Sequence, residues 1–428
     1  MPMVLCALLL LPLNVRAEGE TAGPETTESP APSATADAGV TAGGPDIAAE
    51  TAVLIDARSG SVLYQKYAQQ KMNPASLVKI LSVYLACENL PADSELTASA
   101  DALSGYDRSA SSIWLSEGET AKAVDLEYAA IMASANDANS VLAEAVSQSL
   151  DAFTAKMNET VTGWGLSGTQ LDNPNGFTSD SEYSTAYDLA MITRQCIRSD
   201  AFQTIFSTAG YDMPATNKNA NVRQLVTGNQ MLQSGAHHYD YATGGKIGWT
   251  DAAGYCMVTT ALKDGMSLIA VVLKDPAADN MYTDTQALFD YGFTNYKTVT
   301  IKGDAIGSKT VEVYSGKKHT ATAVFTISKD FNALLPASVD ESLLSTDIEV
   351  RNEDDADQVQ AYVIFQLDGA KVGEAEMDKQ LTRYDTSFRA TTLPQIETAM
   401  DYISAGVLAA FLLMVARRQI RRHFKLPE

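Results

Sequence analysis

The stretch GYCMVTTALKDGMSLIAVVLK (Gly254–Lys274) sets two apolar runs on either side of Lys263-Asp264-Gly265. Asp-Gly between such runs is a strong hairpin signal, because both central residues of the tight turn need a positive φ that glycine adopts without steric cost. Just upstream, ATGGKIGWT (Ala242–Thr250) has strand character. Far upstream, TAVLIDARSGSVLYQ (Thr51–Gln65) reads as two further strands around a Ser-Gly turn. The residues between carry helical periodicity at Ser76–Glu88, Val124–Ala133, Ala138–Ser149, Leu150–Thr162 and Thr185–Arg198, and a last helix is expected over about Asp284–Phe293. Strands at both ends of a helical middle imply one antiparallel sheet assembled from distant parts of the chain and packed with helices, an α/β fold.

The chain has 428 residues, more than one core usually supports, so at least two domains are expected. The first spans 49–296. From Lys297 to about Thr392 the pattern changes to short alternating runs with turn residues, such as KTVEVYSG and TATAVFTIS, which predict a small all-β domain over 297–392. A net charge of −22 and a pI near 4.5, with no basic stripe in the body of the chain, exclude a nucleic-acid partner.

Both ends have their own character. MVLCALLLLPL followed by NVRA reads as a signal peptide over 1–17, although no Lys or Arg precedes the apolar run. Residues 18–48 are acidic and rich in Thr, Ala, Gly and Pro, which predicts a disordered acidic linker. AMDYISAGVLAAFLLMVA (Ala399–Ala416) is just long enough to cross ~30 Å of hydrocarbon. The basic tail 417–428 would then stay on the cytoplasmic side, placing everything before the anchor outside. An amphipathic helix lying in the membrane interface is the alternative. After signal removal Cys87, Cys196 and Cys256 remain, an odd number widely spaced and no disulfide framework. With four histidines and no paired Cys/His spacing, neither a metal nor a cofactor is expected.

Chemistry is suggested by NPASLVKIL (Asn73–Leu81), where Ser76 precedes Lys79 by three residues at the start of a predicted helix. Residues so spaced share a helix face, and an uncharged lysine amine can serve as base for a serine nucleophile. Spacing alone is weak, since Ser315 and Lys318 repeat it within a predicted β region. ASANDAN (Ala133–Asn139) adds Ser134 and Asn136, the one Ser-x-Asn in the chain, at a junction between two helical patterns. GGKIGWTDAAGYC (Gly244–Cys256) adds Lys246 and Gly248 on a predicted strand.

In this order the three motifs resemble the SxxK, SxN and KTG signature of penicillin-recognising serine enzymes. PASLVKIL, SANDA and GGKIGWTDAAGYC are similar to the low-molecular-weight penicillin-binding proteins, the D-alanyl-D-alanine carboxypeptidase branch; AVLIDARSGSVLY, NPNGFTSDSEYSTAYDLA and DGMSLIAVVL support the likeness over about 50–390. The resemblance implies a β-lactamase/transpeptidase-like fold, a peptidoglycan stem peptide as substrate and β-lactam antibiotics as covalent inhibitors. It implies Ser76 as nucleophile, Lys79 as general base and Ser134 as proton relay to the leaving amine. Asn136 would bind the substrate backbone, Lys246 the terminal carboxylate, and the N–H groups of Ser76 and Trp249, beside Gly248, would form the oxyanion hole. One departure is Ile247, where the family usually has threonine, and weaker carboxylate binding or altered β-lactam affinity is expected from it.

Three other readings compete. A Ser-His-Asp hydrolase would need His237 or His238, and no GxSxG elbow accompanies them. A β-lactamase shares the acylating groups, but no ExxLN-type stretch lies between Ser134 and Lys246. A non-catalytic wall-binding relative is favoured only by Ile247, and a pure binder has no need of the nucleophile.

Overall fold

The computed structural model describes residues 39–104, 110–315 and 318–384. The predicted signal peptide, the linker as far as residue 38, the predicted anchor and the basic tail lie outside the described residues. Among the described residues no helix is long and apolar enough to cross a membrane.

The chain opens with strands β1 (Thr51–Asp56) and β2 (Val62–Lys66), followed by a 3₁₀ turn (Ala75–Val78) that runs into α1 (Lys79–Asn89). A short ribbon, β3 (Glu95–Thr97) with β4 (Thr120–Lys122), precedes α2 (Ala123–Met132), α3 (Asn136–Ser147), α4 (Leu150–Gly163), α5 (Ala186–Cys196) and α6 (Asp200–Phe206). A second ribbon, β5 (Gly210–Met213) with β6 (Arg223–Val226), leads to β7 (Ala242–Thr250), β8 (Gly254–Lys263), β9 (Met266–Asp275) and α7 (Ala278–Asn295). The five long strands form one sheet in the order β2-β1-β9-β8-β7, every pair antiparallel. The expected assembly from distant segments is therefore what the chain adopts, with α6 and both short ribbons added to the expected elements.

Period-two alternation divides the sheet between two cores. Val53 and Ile55 of β1, Val258 of β8 and Ile269, Val271 and Leu273 of β9 face a cluster with the side chains of α1 to α6. Ala52 and Leu54, Met257 and Ala261, and Leu268, Ala270 and Val272 face the opposite cluster, which α7 covers with Met281, Leu288 and Phe289. Because β1, β8 and β9 are buried on both faces, their sequences are nearly continuous apolar runs. Gly292 lets α7 settle on β1, since a Cβ there would stand 2.7 Å from Leu268 and 2.9 Å from Leu54.

The linker expected to reach residue 48 ends earlier. Val40 bridges to Lys66, Thr41 N–H donates to the Gln65 carbonyl at 2.9 Å, and Lys66 Nζ donates to the Ile47 carbonyl at 2.7 Å. Ile47 and Ala49 are buried in the α7-side core, so this segment has apolar side chains to bury and an edge strand to pair with. Composition averaged over a window hid those few anchors.

Beyond α7 the described residues are almost all β. β10 (Tyr296–Ile301) leads through a single helical turn, α8 (Gly303–Ile306), into β11 (Lys309–Ser315), β12 (Lys318–Thr326) and β13 (Phe331–Pro336), and then β14 (Leu344–Arg351), β15 (Gln360–Leu367), β16 (Ala370–Glu376) and β17 (Asp378–Arg383). These strands form small antiparallel sheets, β10-β13, β11-β12-β17 and β14-β15-β16. They share a core of Val313, Phe325, Val363, Phe365 and Met377. Ser315 and Lys318 occupy paired positions at the adjoining ends of β11 and β12, in exposed positions, so the duplicate of the Ser76/Lys79 spacing builds no cleft.

Candidate active site

Ser76 enters the fold under local constraint. Pro74 cannot donate a backbone N–H, Asn73 Oδ1 accepts from Ala75 N at 3.0 Å, and Ala75 has a φ of 46°, in the left-handed region a non-glycine residue avoids. The first turn that follows is 3₁₀ rather than α. It places Ser76 at the mouth of α1 and Lys79 at its first position.

Lys79 is fully buried. Its Nζ lies 3.1 Å from Ser76 Oγ, 2.8 Å from Asn136 Oδ1 and 2.7 Å from the Asn175 carbonyl oxygen. Two of these partners can only accept, whereas a hydroxyl can also donate. A neutral amine, with two N–H groups and one lone pair, fits this set with its lone pair directed at the Ser76 hydroxyl. Burial, and then the charge of Lys246, hold the Lys79 pKa well below the usual lysine value; Glu182 and Asp137 oppose them.

Ser134 lies in the bend between α2 and α3, and Asn136 is the first residue of α3. Ser134 takes a φ of 56°, which turns the chain sharply after Met132. Lys246 Nζ donates to Ser134 Oγ at 3.0 Å and to the Ile247 carbonyl at 2.7 Å. Lys246 is itself buried, and burial brings its pKa down to about 7. Asn136 is buried and spoken for on both sides: its Oδ1 accepts from Lys79 and its Nδ2 donates to the Ser111 carbonyl at 3.0 Å. Asn136 thus orients Lys79 rather than presenting a free amide to the cleft.

Gly248 is where β7 meets the nucleophile. A Cβ at this residue would stand 3.0 Å from Ser76 N and 3.1 Å from Ala75 Cβ, so only glycine lets the strand approach the 3₁₀ turn so closely. The next residue, Trp249, points its ring outward and is 54% exposed. Ile247, on the alternate side of the strand, is half-buried against the α7-side core, where it abuts Gly228. Thr250 Oγ1 lies 3.1 Å from Thr178 Oγ1 and accepts from Ala253 N. His237 stacks on Tyr282 of α7 and bonds Asp279, and His238 pairs with Asp240, so both imidazoles are engaged with side chains outside the Ser76 cluster.

Sequence reasoning assigned no role to a further set of residues. Asn175 gives Lys79 its carbonyl acceptor, while its side chain bonds Asn139 and Ser140 of α3. Asn173 Oδ1 accepts from three successive backbone amides, Asn175, Gly176 and Phe177, at 2.8–3.0 Å. Gly176, at a φ of 80°, leans on the nucleophile turn so tightly that a Cβ would fall 1.9 Å from the Ala75 carbonyl oxygen. Asp137 collects Ser112 Oγ, Ile113 N and Leu115 N and so holds the loop whose Ser111 carbonyl grips Asn136. The visible signal for the first group was Asn-Pro-Asn-Gly, a turn marker that says nothing about what the turn touches.

The family model described as D-alanyl-D-alanine carboxypeptidase matches residues 38–277, more than half of the chain. The chain belongs to this family. Relatives within the carboxypeptidase family include DacC of Escherichia coli, 32% identical over 277 residues that cover 61% of this chain and 65% of that protein. DacF of Bacillus subtilis is 30% identical over 255 residues, covering 58% of this chain and 63% of its own length. The chain thus spans just under two thirds of either relative. Among solved structures, penicillin binding protein 5 from Haemophilus influenzae superposes with a TM-score of 0.67 at 26% identity, over 79% of this chain and 98% of that one. The matched span begins at residue 38, in agreement with the early end of the linker, and includes every motif residue from Ser76 to Trp249.

Proposed function

We propose that this protein is a serine-type D-alanyl-D-alanine carboxypeptidase that removes the terminal D-alanine from peptidoglycan stem pentapeptides and is acylated by β-lactams at the same serine. The observation that carries this reading is a buried amine, Lys79 Nζ, 3.1 Å from Ser76 Oγ and under the influence of a second lysine. Ser76 Oγ attacks the carbonyl of the penultimate D-alanine as Lys79 takes its proton. The N–H groups of Ser76 and Trp249 receive the developing oxyanion, a contribution of ~3 kcal/mol per donor. Ser134, held by Lys246, relays the proton taken up by Lys79 to the departing amine, giving its own and receiving that one, and Lys246 draws the free carboxylate of the substrate, which favours a terminal residue over an internal bond. Water then releases the acyl group from Ser76. Asn136 joins this scheme by holding Lys79 through its Oδ1.

The test is mass spectrometry of a pentapeptide incubated with the protein freed of both ends. Loss of one terminal D-alanine, abolished by Ser76→Ala, is expected. A β-lactamase would instead turn over nitrocefin rapidly, and a wall-binding relative would release no D-alanine at all.

The cellular setting belongs to the same proposal. A signal peptide over 1–17, an acidic spacer, the enzymatic and β regions, a membrane anchor over 399–416 and a basic tail would put the active site on the outer face of the cytoplasmic membrane. The run of 18 residues with a single acid, followed by Arg and Lys, supports that order. Removing residues after 384 should release the protein from membranes; continued sedimentation with them would refute the anchor.

A further inference from the structure

Glu182, on the stretch between α4 and α5, is a buried acid to which the proposed chemistry assigns nothing. It is 4% exposed, one carboxyl oxygen accepts from Asn173 Nδ2 at 3.3 Å, and the other is buried with no hydrogen-bond partner. The same Asn173 side chain gathers the backbone amides of residues 175–177, and the Asn175 carbonyl accepts from Lys79 Nζ. Glu182 is thus one side chain removed from the loop that holds the base. It also exerts the stronger of the two acidic influences on Lys79, ahead of Asp137.

We propose that Glu182 is a positioning residue for Lys79: through Asn173 it fixes the loop that presents the Asn175 carbonyl, and its carboxyl shares the charge balance of the amine. The inference rests on the serine-enzyme reading above. Physically, a buried carboxyl oxygen without a donor favours the protonated acid, and burial, reinforced by the charge of Asp172, pushes Glu182 up to about 8, with Lys79 and the backbone amides of Asp172 and Asn173 pulling the other way. Lys79 faces Lys246 from β7, Asp137 from α3 and Glu182 from the loop. With Lys79 neutral and Glu182 protonated, the cleft holds an active base without burying a net charge on either. The ion-paired form, in which the same proton sits on Lys79 and Glu182 is ionised, is a tautomer of the active one and competes with it wherever the pair holds a single proton.

Removing the titration while keeping the acceptor should therefore favour the neutral amine. In Glu182→Gln the acid limb of the pH profile for acylation by fluorescent penicillin is expected to move to lower pH, raising the rate on that limb about two- to fivefold. Glu182→Ala, which loses the bond to Asn173, is expected to slow acylation about tenfold at every pH, because the loop and its carbonyl shift. A Gln profile superimposed on the wild-type one, or equal losses for Gln and Ala, would overturn the proposal. Infrared titration supplies a readout that needs no activity. A protonated-carboxyl band present at pH 7 and missing from Glu182→Gln is expected, and its absence from the wild-type protein would sink the charge argument. If wild-type protein takes no label, the carboxypeptidase reading fails first, and the infrared result alone decides this one.

Discussion

The α/β region up to α7 and the β region after it handle polar groups in opposite ways. In the first, Lys79, Lys246, Asp137, Asn136, Asn139 and Glu182 are buried among apolar helices and strands. Among the described residues no polar or charged side chain is buried beyond Thr285. The charges of the β region sit at its surface in pairs such as Arg351 with Glu349 and Glu374, Lys302 with Asp330, and Lys297 with Glu341. Burying ionisable groups costs stability unless they are paired, and folds tolerate it where the perturbed protonation is useful. The contrast puts the perturbed ionisable groups on which the proposed chemistry rests in the first region.

That contrast can be broken most directly at the base. Lys79→Met should reduce acylation by penicillin at least ~10³-fold, because a serine hydroxyl with no base is a poor nucleophile. A stopped-flow rate near the wild-type value would show that the buried amine is not the base. Next in size, Gly176→Ala places a methyl against the Ala75 carbonyl and strains a positive φ, so urea unfolding should reveal a loss of about 2–4 kcal/mol together with impaired acylation.

The pH dependence sharpens the same comparison. Lys79 must be neutral, so activity rises with pH through its depressed pKa; Lys246 must be charged to hold a carboxylate, so activity should fall as pH passes about 7. A bell-shaped profile of kcat/KM is expected, with its alkaline limb abolished in Lys246→Gln at much lower rate. Stability runs the other way. The folded chain releases the Lys246 proton near 7 whereas an unfolded lysine keeps it to about 10.4, so the cost of burying this charge is full below pH 7 and fades between those values. Lys246→Met should accordingly raise the urea midpoint most at low pH.

A smaller effect is expected at Ile247. Its side chain packs against the α7-side core, so Ile247→Thr should cost about 1 kcal/mol of stability while changing the acylation rate of carboxylate-bearing β-lactams. Unchanged kinetics would make the position silent. Smallest of all, Arg351→Ala in the β region should shift stability by no more than ~1 kcal/mol and leave acylation untouched, since an exposed pair is screened by solvent.

Local signals in the chain were read correctly where they reflect local physics. Alternation and the Asp-Gly turn located β8 and β9, and helical spacing located α1 to α5 within a few residues. The Ser76–Lys79 spacing foretold their contact because a turn of helix forces it. The short ribbons β3-β4 and β5-β6 went unseen because each strand is three or four residues long, too short for a period to register.

What the sequence alone determined was the identity and order of the reacting groups: a serine, two lysines, a second serine and an asparagine in three motifs, framed by strands at both ends of a helical middle. What only the tertiary structure decided was how those groups are held and charged. That Lys79 is buried between Asn136 and the Asn175 carbonyl, and that Gly176 and Gly248 press on the nucleophile turn, depend on contacts between segments 57 to 172 residues apart. Dielectric and hydrogen-bond partners are properties of a place in space, and no spacing along a chain encodes them.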